Sequence, residues 1–199
     1  MILFVGSLIA GLMSLLRAGS IPDRVPMHWN LAGQVDRYGS RWEGLLFIPI
    51  MSLVLSFVFM LIGAVSGSRL RQNTVKALNI ISAAMMTFFL VIHNFMLSAQ
   101  PDRIPGMIPG GLACLMVVMG FAIKDVEPNP FVGIRVPWTM NNPLVWRKTH
   151  DRASRLWIVG GAVALVLALL HAPTLLPIAV FVGLILYPML DSYRISKTG

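Results

Sequence analysis

The chain has little charge: Asp, Glu, Lys and Arg are 12% of its 199 residues, where an ordinary soluble domain carries about 25%. A domain of this length needs a wetted polar surface, so that scarcity excludes a soluble globular protein. With 56% hydrophobic residues, a disordered chain and a fibrous repeat are excluded as well. Cysteine is nearly missing. Cys114 stands alone, which rules out an intramolecular disulfide and any cysteine-pair metal motif. Also missing are H-E-x-x-H and G-x-S-x-G, the local signatures of zinc proteases and serine hydrolases. Acidic residues number 8 against 16 basic ones.

What the chain does have is apolar length, at a mean hydropathy of +0.76. Five stretches carry no charged residue: 1–16, 44–68, 77–101, 104–123 and 156–190. A hydrocarbon core of about 30 Å takes about 20 apolar residues in a helix. The second, third and fourth stretches each fit one span. The fifth is long enough for two, with His171-Ala172-Pro173-Thr174 as the turn between them, since proline is common just past a helix end. The spacing predicts an all-α, polytopic integral membrane protein of six transmembrane helices, near 2–17, 45–66, 76–99, 107–123, 155–171 and 174–190, with two long structured loops. The first stretch lacks a basic leader and a small-x-small cleavage site, so a retained helix is expected there.

Basic residues set the expected orientation. With the N-terminus inside, the inner segments hold Arg69, Arg71, Lys76, Lys124, Arg135, Arg147, Lys148, Arg152, Arg155, Arg194 and Lys197. The outer segments hold Arg17, Arg24, Arg37, Arg41 and Arg103. Eleven of sixteen inside follows the positive-inside rule, and predicts a multi-pass protein of the cell (cytoplasmic) membrane with both termini cytoplasmic. The net charge of +8 sits beside spans, where anionic headgroups of the lipid bilayer match it. No direct nucleic-acid partner is needed. Cys114, inside a span, reads as a small core or lipid-facing residue.

Two loops carry the polar information. The first, 18–44, contains Pro22, Pro26, the cluster His28-Trp29-Asn30, then Gly33, Asp36 and Tyr38-Gly39-Ser40. Its prolines impose extended backbone, and turns are expected at Asn30–Gly33 and Tyr38–Ser40. Two readings stand for it: Trp29, Tyr38 and Trp42 lie in the headgroup belt, or His28, Trp29, Asn30 and Asp36 face a ligand.

The second loop, 124–154, contains Arg135, Trp138, Thr139, Asn142, Trp146 and His150. Pro143 behind Asn141 or Asn142 makes a helix start. A basic amphipathic helix follows, with Trp146 and Trp157 as interfacial anchors and Asp151 four residues before Arg155 as a favourable pair. This helix either grips anionic lipid or, with Arg135 and Trp138, docks a cytoplasmic partner.

The run Asn129-Pro-Phe-Val-Gly133-Ile134-Arg135-Val-Pro137-Trp138-Thr139-Met-Asn-Asn142-Pro-Leu-Val-Trp146-Arg-Lys-Thr149-His150 resembles the signature of the SdpI family, N-x-x-x-G-I-R-x-P-W-T-x-x-N-x-x-x-W-x-x-T-H. These are membrane immunity proteins against the sporulation-delaying-protein toxin. The 22–39 segment, with Pro26, His28, Asn30, Gly33 and Asp36, is similar to the domain of unknown function that often precedes that signature. Ser154 departs from the glycine usual after Arg-x-Ala, which places the close packing at that helix start in question. The resemblance implies an N-terminal region, 1–106, bearing the outer loop, and an SdpI-like region, 107–199, bearing the inner one, in one bundle. It further implies immunity and sensing: a hydrophobic peptide toxin bound from outside or within the bundle, and a cytoplasmic transcriptional repressor as partner. No cofactor is implied.

Apart from the loops, His93-Asn94 is the one strongly polar pair in the third span. Such residues face a bundle interior, as functional groups or as interhelical hydrogen bonds. His28, Asp36 and His93 could together hold a metal at the outer leaflet, the basis of an alternative reading as a metal-dependent enzyme or small-molecule transporter. Pro22-Asp23-Arg24-Val25-Pro26 is echoed by Pro101-Asp102-Arg103-Ile104-Pro105, as two outer loops forming one cap would require.

Overall fold

A computed structural model describes residues 2–30, 34–66, 70–98, 104–173 and 175–198. Gly33, Arg69, Thr174 and the Pro101-Asp102-Arg103 half of the echo lie outside the described residues. In chain order the elements are α1 (Ile2–Arg17), β1 (Arg24–Trp29), β2 (Val35–Ser40), α2 (Arg41–Ser66), α3 (Gln72–Met96), α4 (Ile104–Ile123), α5 (Pro137–Met140), α6 (Pro143–Leu169) and α7 (Leu175–Thr198).

Five of these, α2, α3, α4, α6 and α7, are long and apolar enough to cross a membrane, and α1 is a shorter apolar helix. The chain is therefore a helical, multi-pass membrane protein. Pro49, Pro109 and Pro188 sit inside α2, α4 and α7, as membrane helices tolerate where neighbours re-satisfy the freed backbone. The exposed faces are apolar, for example Phe4, Leu8, Leu12 and Leu15 on α1 and Phe47, Val54 and Leu61 on α2, surfaces suited to hydrocarbon.

Contacts divide the chain into two units, Met1–Val65 with Ser82–Ile108, and Ser66–Ile81 with Pro109–Gly199. In the first, Ala10, Ile48, Met96 and Ile104 form one core and Ile21, Val25, Leu45 and Leu97 another. In the second, Ile123, Ile134, Ala153, Trp157 and Leu184 pack together.

The first loop is a β-hairpin. β1 and β2 pair antiparallel, from Arg24 opposite Ser40 to Trp29 opposite Val35, with irregularities either side of His28. Pro26 cannot donate to a ladder, and a two-stranded sheet has only edges, where proline is tolerated. Asn30 closes the loop: its N–H donates to Gln34 O (2.9 Å), and its Oδ1 accepts from Gln34 N–H (3.0 Å). Tyr38–Ser40 is not a turn, as expected above, but the end of β2. It leads straight into α2, whose first N–H groups include Glu43, bonded to Ser40 Oγ at 3.2 Å in the manner of an N-cap.

In the second unit α6 corrects another expectation. The basic amphipathic helix and the span that follows it are one unbroken helix of 27 residues, because no proline or glycine falls between Pro143 and Gly160. Asn142 caps it, accepting from Leu144 N–H and Val145 N–H with Pro143 at the first position. Its far end closes in a Schellman turn: Ala172 N–H donates to Leu167 O (3.0 Å) and His171 N–H to Ala168 O (3.1 Å). His171 holds the left-handed position, φ 52°, and Pro173 follows. α7 then returns antiparallel, with Trp157 Nε1 donating to Leu184 O at 2.7 Å and Arg152 paired to Asp191 at 3.2 Å.

α4 and α6 approach closely. A Cβ on Gly120 would lie 2.9 Å from Ser154 O, and one on Gly161 would lie 3.0 Å from Ala113 O. Small residues at such crossings let membrane helices pack backbone against backbone. The departure at Ser154 thus leaves the packing intact, since the space is made by Gly120 on the partner helix.

Candidate functional site

In the first unit, the hairpin presents His28 and Asp36 together: Nδ1 and Oδ1 are 2.5 Å apart, and both side chains are largely exposed. Arg37 pairs with Glu43 and Arg41 with Asp23, each at 2.7 Å, and the Arg24 guanidinium lies 5.3 Å from the Tyr38 ring centroid. Trp29 is half-buried against the core that holds Met96 and Ile104, and its Nε1 is buried with no partner among the described residues. Asn30 belongs to the hairpin closure.

His93 lies deeper, fully buried on α3. Its Nε2 is 2.9 Å from Ser14 Oγ and 3.2 Å from Ala10 O. A carbonyl only accepts, so Nε2 carries a proton. Ser14 in turn donates to Leu45 O at 2.6 Å, tying α1, α2 and α3 through one polar contact. Asn94 Oδ1 accepts from Arg17 Nη2 at 3.5 Å. The expected trio is not assembled: His28 meets Asp36 while His93 meets Ser14, and among the described residues no three His, Cys, Asp or Glu side chains converge to hold a metal.

The 124–154 loop of the second unit is organised around its own side chains. Asn129 uses its whole amide: Oδ1 accepts from Phe131 N–H and Val132 N–H, both at 2.8 Å, and Nδ2 donates to Glu127 O (2.9 Å) and Val132 O (3.0 Å). Gly133 follows at φ 121°, a conformation open to glycine. It turns the chain so that Ile134 N–H donates to His150 Nε2 at 3.0 Å. Because that nitrogen accepts, Nδ1 carries the proton and donates to Trp146 O at 2.8 Å. The His150 ring stacks on Trp146 at 4.1 Å between centroids, and Trp146 Nε1 donates to Val126 O at 2.7 Å. The Thr139 hydroxyl donates to Ile134 O (2.7 Å) and accepts from Val136 N–H (3.1 Å).

Trp146 and Trp157 are therefore buried and are not interfacial anchors. Their indole N–H groups are satisfied inside the protein, by Val126 O and Leu184 O. Trp138 reaches α7, donating to Ser192 Oγ at 2.9 Å and meeting Tyr193 edge-on at 5.3 Å. Arg135 is exposed, with Nη1 on Pro130 O. The loop is a clasp: Arg135, Thr139, Asn142, Trp146 and His150 hold its backbone, Trp138 holds Ser192 of α7, and Thr149 is buried beside them with Oγ1 unpartnered among the described residues.

The residues that form this clasp fall in a recognised family region. Residues 125–192 match the SdpI/YfhL protein family, and residues 2–53 match a domain of unknown function, DUF1648. Over residues 125–192 the chain is thus similar to the SdpI family. It is 22% identical to Immunity protein SdpI of Bacillus subtilis (strain 168) over 158 residues, which cover 79% of this chain and 75% of that protein. No solved structure matches. Within the SdpI region the geometry gives Asn129, the first residue of the signature, its role, and adds two residues that the sequence did not single out: Asp191 and Ser192, which have no local signal because their partners lie on α6 and α5.

Proposed function

We propose that this protein confers immunity to a hydrophobic, membrane-active peptide toxin by binding it. The observation that carries this reading is the similarity to Immunity protein SdpI, which runs through most of both chains. In this reading the protein lies in the cell membrane with both termini cytoplasmic, as the bias of eleven basic residues to one set of loops favours. The N-terminal region, 1–106, receives the peptide at the hairpin, where His28 and Asp36 are exposed beside Tyr38 and Trp42.

The SdpI-like region, 107–199, responds through the clasp, and a cytoplasmic transcriptional repressor reads the change. Arg135 is the exposed cation of the clasp and is suited to such a partner. Peptide binding can bias the clasp only by the difference in its affinity for two states. The test is titration of purified protein in detergent with fluorescently labelled sporulation-delaying-type peptide. Saturable binding, weakened by His28→Ala, is expected; no saturation up to the solubility limit of the peptide removes the reading.

A further inference from the structure

The cations at the clasp end of α6 and α7 are not all used by the fold. Beginning at the charged boundary of the uncharged stretch 156–190, Arg155 pairs with Asp151 on its own helix and Arg152 with the buried Asp191 of α7. These two pairs use the acidic residue of α6 and the acidic residue of α7. Arg147 and Lys148, further out on α6, and Arg194, further out on α7, are exposed, and their side chains have no acidic partner among the described residues. Lys197 lies over the Tyr193 ring at 5.4 Å, itself half exposed, and has no acidic partner there either.

Depth decides what these cations can meet. The Arg152–Asp191 pair fixes the register of the antiparallel helices and marks where apolar sequence ends on both. Arg147 and Lys148 stand only five and four residues beyond Arg152, which is about 6–8 Å along a helix at 1.5 Å per residue. Arg194 and Lys197 stand three and six residues beyond Asp191. Both helices continue unbroken into their apolar parts, so the four cations stand one to two helical turns beyond the end of the apolar sequence, the level at which phosphates lie just outside a hydrocarbon core. Trp138 and Tyr193 pack beside them, aromatic groups of the kind that settle at that depth.

We infer that Arg147, Lys148, Arg194 and Lys197 form a binding site for an anionic phospholipid headgroup, with phosphate oxygens as the ligand atoms. Four cations at one level on two adjacent helices favour a lipid of net negative charge over a zwitterionic one, whose own ammonium would be repelled. An acidic protein segment would present similar charge, but it would have to reach cations already at phosphate depth.

The experiment uses the full-length protein in detergent micelles, supplemented with phosphatidylglycerol or with phosphatidylcholine, and reads thermal stability and co-purifying lipid. Phosphatidylglycerol is expected to raise the melting temperature and to be retained, while phosphatidylcholine does neither. The quadruple variant Arg147→Gln, Lys148→Gln, Arg194→Gln and Lys197→Gln is expected to lose both effects. These side chains are exposed and outside the clasp, so the variant is expected to melt as the wild type does in phosphatidylcholine. A matched variant, Arg24→Gln with Arg37→Gln on the hairpin, should keep the lipid effect. Equal stabilisation by the two lipids, or a lipid effect that survives the quadruple variant, would overturn the inference. So would saturable binding of a poly-glutamate peptide that phosphatidylglycerol does not displace.

Discussion

Replacing Gly133 by alanine tests the clasp at its tightest point. The new Cβ would lie 2.4 Å from His150 Nε2 and 3.0 Å from Trp146 Cη2. The imidazole cannot give way, because it accepts from Ile134 N–H and donates to Trp146 O, and its ring is stacked on the indole. Two effects add. Holding alanine at φ 121° costs on the order of 1–3 kcal/mol of backbone strain. Breaking the buried Ile134–His150 hydrogen bond leaves unsatisfied groups at about 1–3 kcal/mol.

A combined loss of roughly 3–5 kcal/mol is large against a native margin of about 5–15 kcal/mol. At about 2–4 °C per kcal/mol for a chain of this size, the melting temperature should fall by about 6–20 °C. The assay is thermal unfolding of the purified protein in detergent, followed by tryptophan fluorescence. Gly63→Ala on α2, where no atom lies within 4 Å of the new Cβ, is the internal control and should gain up to about 1 kcal/mol. If Gly133→Ala melts within about 2 °C of wild type, a shift of well under 2 kcal/mol, the clasp geometry is refuted.

Other substitutions read other parts of the account. Ser154→Ala removes a buried hydroxyl that lacks a partner among the described residues, so stability should hold or rise by about 1 kcal/mol; a clear drop in melting temperature would show that the hydroxyl is bonded. His171→Gly relieves a left-handed residue in the Schellman turn and should stabilise by about 1 kcal/mol, checked in the same melts. Trp146→Ala empties a fully buried site and frees Val126 O, for a loss of about 3–5 kcal/mol, whereas an interfacial anchor would lose far less. Asp36→Asn breaks an exposed pair and should change stability by under about 1 kcal/mol. In the proposed function it should weaken peptide binding nonetheless, which separates the hairpin's role in recognition from any role in folding.

The helical membrane architecture was legible because uncharged length is a strong signal with one main physical cause. Asn142 and Pro143 marked the start of α6 by local chemistry alone, and His171 to Pro173 marked the turn into α7. The hairpin was hidden for equally local reasons. Pro26 interrupts β1, the register shifts around His28, and β2 is polar, so no alternation shows. α6 was divided in two because charge content changes at Arg155, although nothing there breaks a helix. Trp146 and Trp157 were placed at the membrane surface by composition, and only the carbonyls of Val126 and Leu184, contributed by other elements, explain why both are inside. In the same way His28 and Asp36 could be paired from the sequence, while Ser14, the partner of His93, lies 79 residues away.

The most direct test of immunity is a kill curve. Cells sensitive to a sporulation-delaying-type peptide are given this protein or an empty vector, matched for membrane content, and survivors are counted across peptide concentrations. The account predicts that the protein shifts the curve to higher peptide concentration, and that Gly133→Ala at equal membrane abundance shifts it back. Superimposable curves for protein and empty vector would contradict it.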